Sequence, residues 1–290
     1  MKIFDWRKDK YLTGHQMMVV GLVVFLTGAL FLLEKGLRYN EKQFPLEVSF
    51  LNVGQGDAIL INYHQRVQIL IDGGPSGKIV LTELSKVMPK FDNTIELLVV
   101  THPDRDHFAG LFDVVHKYKI QRIIYNGQNP ADEVWQSWRK LINEKKIPLS
   151  VVGEGSSLKI GKDLNISFFN PDYIEENTVV KNDSSIVMRL DYLNNSFLFT
   201  GDLSSDGEAD MIFDGEDIDV DWLKVAHHGS DYSTSQFFLA RSTPRWAIIS
   251  VGENEYGHPS KGVLQRLQKA GAEILRTDKQ GTITIKLPVE

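Results

Sequence analysis

Residues 99–111 read VVTHPDRDHFAGL, an apolar run that breaks abruptly into two histidines and two aspartates: His102, Asp104, Asp106 and His107. The run begins further back as IELLVV, residues 95–100, and suits a strand buried on both faces, so the polar groups fall on the loop leaving it. Four acidic or imidazole groups this close repel one another or stay unsatisfied unless they share cations, and divalent metals accept such a mixture of nitrogen and oxygen donors. Pro103 and a helix starting after Asp106 would turn the chain so that alternating side chains face one point. The plain alternative is a solvated polar loop in which Asp106 merely caps a helix. Partners elsewhere in the chain decide between the two.

Three more clusters share this grammar. Asp72 in LIDGG follows VQIL, Asp202 in FTGD follows NSFLF, and His227 and His228 in AHHGS follow DWLKV. Each Asp beside Gly is by itself an ordinary turn residue. In a layered fold, however, strand ends converge, and groups far apart in sequence meet at one edge. His258 in YGHPS follows the strand RWAIISVG and ends near the same edge, where it would contact a substrate phosphate or protonate a leaving group. His15, His64 and His116 carry no such pattern and are expected to be ordinary helix-end, turn and surface residues.

The intervening segments predict a layered α/β (α+β) domain. PLEVSFLNV, DAILINY and VQILID read as strands, as do RIIYN, LNISFFN, SSIVMRLDY, NSFLFTGD and TITIKL. Helices are predicted at 79–88, 106–118, 132–144 with Asp132 near the start, 235–241 and 261–270. Strands followed by helices, twice over, suggest two sheets packed face to face with helices outside. No low-complexity tract divides residues 44–290, which are predicted to be one domain.

Composition narrows the class. The 290 residues carry a formal net charge of −6, so a polyanionic substrate must be held by local Lys and Arg or by bound cations. Zero cysteines exclude disulfides, thiolate zinc sites and a cysteine nucleophile. From Tyr11 to Leu33 there is no charged side chain, and MMVVGLVVFLTGALFLL has about the length needed to cross a bilayer. This predicts a short cytoplasmic tail at 1–14, a signal anchor at 15–36, and a domain at 44–290 on the outer face of a bacterial membrane.

VTHPDRDHFAGL, LIDGG, FTGD and HHGS resemble the motifs of the metallo-β-lactamase superfamily. More narrowly, LNVGQGDAILI, THPDRDH, LKVAHHGS and YGHPS are similar to the extracellular hydrolase domain of ComEC-type competence proteins, here without a multi-helix channel. The resemblance implies a four-layer αββα sandwich with a two-metal site at one edge. Carried over position by position, His102 and Asp104 would bind one divalent ion, Asp106 and His107 the other, with Asp202 bridging. One of His227 and His228 would complete the second metal, Gly229 favouring His228 because it lets the backbone approach. Asp72 corresponds to an aspartate that orients a ligand rather than binding metal. Asp104 replaces a superfamily histidine, which makes that site harder and admits Mn2+ beside Zn2+. A further superfamily histidine is missing between the first cluster and Asp202, with Asn182 or Asp183 as substitutes.

Two metals that share a hydroxide and clamp an in-line displacement suit phosphodiesters. The resemblance therefore implies an extracytoplasmic phosphodiesterase or nuclease acting on DNA, beside a DNA-uptake permease. The alternatives are a cell-surface enzyme for teichoic acid or phosphocholine, a non-catalytic metal-binding module that assists DNA uptake and, ranked lower, β-lactam hydrolysis.

Overall fold

The early strands have two buried faces. In Ile59–Tyr63, Ile59, Ile61 and Tyr63 enter one apolar cluster while Leu60 enters another, and in Leu97–Val100 residues Leu97 and Val99 separate from Leu98 and Val100 in the same way. Such strands must lie in a sheet covered on both sides. The computed structural model describes residues 45–172 and 182–288, and these form two sheets of that kind.

Numbered along the chain, the first sheet runs in spatial order β16 (Ile283–Leu287), β1 (Leu46–Phe50), β2 (Ile59–Tyr63), β3 (Val67–Ile71), β5 (Leu97–Val100), β7 (Ile123–Tyr125) and β8 (Leu149–Val151). The second runs β15 (Glu273–Arg276), β14 (Trp246–Ile249), β13 (Trp222–Lys224), β12 (Asn195–Phe199), β11 (Val187–Tyr192), β10 (Leu164–Asn170) and β9 (Ser157–Ile160). Two short strands, β4 (Thr94–Ile95) and β6 (Lys119–Ile120), pair apart from both.

Phe50, Ile61 and Val99 of the first sheet share a core with Phe168, Leu190 and Phe199 of the second, so the sheets stack face to face. Val80 and Leu84 of helix Gly77–Val87, Leu111 and Val114 of Leu111–Lys117, and Trp135 and Trp138 of Glu133–Glu144 cover the outer face of the first sheet. Met211, Phe238 and Leu267, from helices Ser205–Asp214, Gln236–Ser242 and Lys261–Lys269, cover the second. The order is helix, sheet, sheet, helix, as expected for the sandwich. Short β8, β9 and β15 were not among the expected strands; β8 and β9 lie at sheet edges where burial is slight and alternation weak.

One expected helix is corrected. Residues 106–118 do not form a single helix but two, Arg105–Phe108 and Leu111–Lys117. The carbonyls that a continuous helix would use are drawn elsewhere: that of Asp106 accepts from Asp57 N at 3.3 Å and that of His107 from Gly73 N at 2.6 Å. Gly110 N in turn donates to the Gly74 carbonyl at 2.8 Å. A Cβ on Gly110 would stand 2.0 Å from the Gly73 carbonyl oxygen, so only glycine permits this contact. Local helix propensity yields to the docking of three loops.

The expected tail and membrane segment, residues 1–36, lie outside the described residues. Among the described residues no helix is long and apolar enough to cross a membrane.

Candidate metal centre

Strand direction gathers the polar groups. β3, β5 and β7 run parallel, as do β12, β13 and β14, so each set ends at one edge of its sheet. Asp72 directly follows β3, and Thr101 and His102 follow β5. Asp202 lies just past β12, and His227 and His228 lie just past β13. These are the crevice positions where open α/β sheets place their ligands.

His107 is the best-supported side chain. Its Nδ1 is 2.8 Å from Asp72 Oδ2, and Asp72 also accepts from Thr101 N at 2.9 Å and from Thr101 Oγ1 at 2.7 Å. Asp72 is fully buried and does not line the cleft; it stands behind His107. The next residue, Phe108, packs edge-on against Trp135 with ring centroids 5.0 Å apart, which pins the short motif helix to the helical layer. His107 Nε2 is thereby left facing Asp202 Oδ1 at 3.3 Å.

The second strand end answers it. His227 and His228 both adopt left-handed backbone, with φ of 48° and 54°, a conformation rare outside glycine and concentrated at functional sites. His228 is buried, its Nδ1 lies 2.9 Å from the Ser250 carbonyl, and its Nε2 is 3.3 Å from Asp106 Oδ2 and 3.6 Å from Asp202 Oδ2. Gly229 packs where a Cβ would meet Pro259 Cβ at 2.6 Å, so backbone comes close here as expected.

Asp106, His107, Asp202 and His228 offer ligand atoms that all lie within 4.8 Å of one another, a group able to hold a metal ion. The set fits a cation on its own chemistry. His107 Nε2, His228 Nε2 and Asp202 Oδ1 are buried polar atoms without a hydrogen-bond partner, and both imidazole nitrogens face the Asp202 carboxylate. Burial disfavours charge on both histidines, yet Asp202 and Asp72 hold His107 well above the usual imidazole range, and Asp202 and Asp106 raise His228. Burial likewise opposes the charged form of Asp202, but His107 and His228 hold it well below the usual carboxylate range. Protons thus sit where a divalent ion would replace them.

The remaining expected residues form a looser half. His102 is buried, with Nε2 unpartnered and 3.5 Å from Asp104 Oδ2, and its ring centroid is 4.1 Å from that of His107. Among the described residues this pair joins no group of three metal-ligating side chains. His227 also stays outside the group of four: its Nε2 is 3.7 Å from Asp202 Oδ2 and its Nδ1 is 3.3 Å from Asn182 Nδ2. Asp183 instead accepts from Ser204 N at 3.2 Å, steadying the helix that follows Asp202. His258 faces His227 with ring centroids 5.5 Å apart, and its pKa is lowered by burial and by His227 and His228. His116 is exposed with Nδ1 2.7 Å from the Phe112 carbonyl, and His64 occupies a turn at φ 53°.

Asp104, Asp106, Asp202, His227, His228 and His258 line a cleft of about 490 Å³, together with Arg105, Glu253 and Tyr256. Arg105 is held by Asp132 at 2.8 Å, the same aspartate that caps the Glu133–Glu144 helix. Sequence reasoning missed two buried site residues, Asp57 and Lys224. Lys224 left a signal, a cation inside the apolar strand DWLKV, whereas Asp57 in GQGDA looks like any turn aspartate.

Comparison with known proteins agrees with this architecture. The family model described as "Metallo-beta-lactamase superfamily" matches residues 51–253. The chain is 33% identical over 260 residues to ComE operon protein 3 of Bacillus subtilis (strain 168), an alignment covering 82% of this chain and 32% of that protein. It is 28% identical over 275 residues to Competence protein ComA of Neisseria gonorrhoeae, covering 89% and 35% respectively. The chain therefore spans about a third of the length of these curated relatives. Among solved structures, CmlA, a diiron beta-hydroxylase from Streptomyces venezuelae, superposes with a TM-score of 0.54 at 12% identity, covering 84% of this chain and 54% of that one, a likeness of fold alone.

Proposed function

The chain belongs to the metallo-beta-lactamase superfamily, and from that membership and the geometry of the site we propose that it is a metal-dependent hydrolase of phosphodiesters, DNA foremost. The observation that carries this reading is the convergence of unpartnered His107 Nε2, His228 Nε2 and Asp202 Oδ1, with Asp202 and His228 lining an open cleft. In this reading Asp106, His107, His228 and Asp202 would hold one divalent ion, and His102 and Asp104 would hold a second. Bound Zn2+ or Mn2+ supplies Lewis acidity, which activates water near neutral pH and offsets the negative charge of a phosphodiester.

The chain's own residues do the rest. Asp72 fixes His107 so that Nδ1 keeps its proton and Nε2 is free. Arg105, exposed on the rim and oriented by Asp132, binds a substrate phosphate oxygen. His258, half-buried with a pKa lowered by burial and by His227 and His228, is neutral at pH 7; it would take a proton from the attacking water and pass it to the leaving oxygen. DNA is favoured because the relatives include a competence protein by name. Attachment to a membrane is supported by the charge-free run from Tyr11 to Leu33, and the same reading puts the domain on its outer face, beside a DNA-uptake permease.

A second reading, a phosphocholine-type headgroup, is favoured by Glu253 and exposed Tyr256 on the same rim, a pairing that suits a quaternary ammonium. The test offers the purified chain, with Mn2+ or Zn2+, single-stranded DNA, duplex DNA and a phosphocholine ester, beside Asp104→Ala and Asp202→Ala variants. Metal-dependent cleavage of DNA that Asp202→Ala abolishes is the expected result. Cleavage of none of these substrates, with metal bound, defeats the enzymatic reading, and activity that survives Asp202→Ala defeats the site assignment.

A further inference from the structure

Directly behind the proposed metal ligands lies a buried ion pair, Asp57 and Lys224, 2% and 1% exposed. The Lys224 ammonium donates to the Asp57 carboxylate and to the Gly201 carbonyl at 2.8 Å, and it lies 3.8 Å from Asp202 Oδ1. The Asp57 carboxylate is 3.9 Å from His107 Nδ1 and 3.6 Å from His228 Nδ1. The pair therefore touches three of the four residues in the group that opens onto the cleft.

A second group able to hold a metal, Asp57, Asp72 and His107, is wholly buried and shares His107 with the first. The two groups compete for that ring. The open group needs the lone pair on His107 Nε2 with the proton kept on Nδ1, whereas the buried carboxylates face Nδ1 itself. A neutral imidazole offers one lone pair, so His107 serves one group or the other. Without a counter-charge Asp57 would be a buried carboxylate that recruits a proton or a cation.

We propose that Lys224 is a built-in cation that occupies Asp57, keeps metal out of the buried Asp57, Asp72 and His107 group, and so reserves His107 Nε2 for the open site. It is a positioning residue rather than a catalytic one. A tethered ammonium cannot be lost or exchanged, which makes the choice between the groups permanent. The role rests on the metal-centre reading proposed above.

The test measures divalent metal per chain by elemental analysis, and affinity by titrating Mn2+ into the chelator-stripped full chain. In Lys224→Gln, which keeps an amide donor for Gly201, the expected result is about one additional equivalent of Mn2+ per chain, because the vacated carboxylate and His107 take a metal while Asp106, Asp202 and His228 still hold the open-site ion at lower affinity. Asp57→Asn/Lys224→Gln is expected to return to the wild-type number, a reversal that a merely structural role does not predict. A folded Lys224→Gln with wild-type metal content overturns the proposal. If that variant does not fold, Asp57→Asn carries the test. There the freed ammonium turns to Asp202 and competes with metal, so affinity falls by about tenfold or more, and an unchanged affinity overturns the proposal. A wild-type chain that binds no divalent metal defeats the metal-centre reading itself; metal binding with identical variants defeats only the role of Lys224.

Discussion

Replacing Asp72 by asparagine isolates the orientation of His107 from the stability of the fold. Asp72 is fully buried at φ 57° and accepts from Thr101 N, Thr101 Oγ1 and His107 Nδ1 at 2.9, 2.7 and 2.8 Å. Asparagine tolerates left-handed backbone, so the main chain need not move. Its oxygen can keep the bond from Thr101 N, and its NH2 then faces Thr101 Oγ1 and His107 Nδ1. The Thr101 hydroxyl can rotate to accept, and His107 can move its proton from Nδ1 to Nε2. That repair leaves only about 1–2 kcal/mol of lost charge-assisted bonding, or a Tm lower by roughly 3–6 °C. It also places a proton on the nitrogen that faces Asp202, and loss of such an orienting partner costs about 10- to 100-fold in metal affinity. Asp72→Ala offers no repair, leaves the buried Thr101 N and His107 Nδ1 without their acceptor, and costs about 3 kcal/mol or more. Thermal denaturation, Mn2+ titration and the 15N shifts of His107 separate these outcomes. Wild-type metal affinity in Asp72→Asn, or an unchanged His107 tautomer, refutes the reasoning.

Stripped of metal, the protein loses stability as pH rises. Against the opposing effect of burial, carboxylates hold His107 and His228 above the ordinary imidazole value of 6.5, so their contribution is complete below that pH and is lost as pH climbs through the folded values. Urea midpoints in chelator are therefore higher at about pH 6 than at about pH 9, and added metal narrows the difference by replacing protons; equal midpoints contradict the electrostatics. Gly110→Ala pushes a Cβ against the Gly73 carbonyl oxygen and costs ~3 kcal/mol in urea unfolding, with weakened metal binding because the same junction holds Asp72 and His107 together. Glu208→Ala removes the carboxylate that accepts from the backbone of Thr234 and Ser235, which costs about 2–4 kcal/mol and speeds amide exchange in the loop after His228.

Much of the fold was legible because its causes are local. Leu97 to Val100, apolar on both faces, could only be a covered strand, and Ser235 and Asp132 announce the helices they cap. The polar clusters were legible for the same reason, since each sits where an apolar run stops. The continuous helix expected after Asp106 was not, because the carbonyls of Asp106 and His107 bond to Asp57 and Gly73, residues that helix propensity does not see.

The sequence by itself determined the layered class, the strand-end positions of His102 to His107, Asp202 and the two adjacent histidines, and the acidic, imidazole-rich character of the site. Tertiary structure alone decided that His228 and not His227 joins Asp106, His107 and Asp202, and that Lys224 reaches Asp57 behind them. The reason is physical. Where a strand ends depends on a few neighbouring side chains, whereas which nitrogen faces which carboxylate depends on left-handed turns and on contacts between two sheets, set only when both have packed.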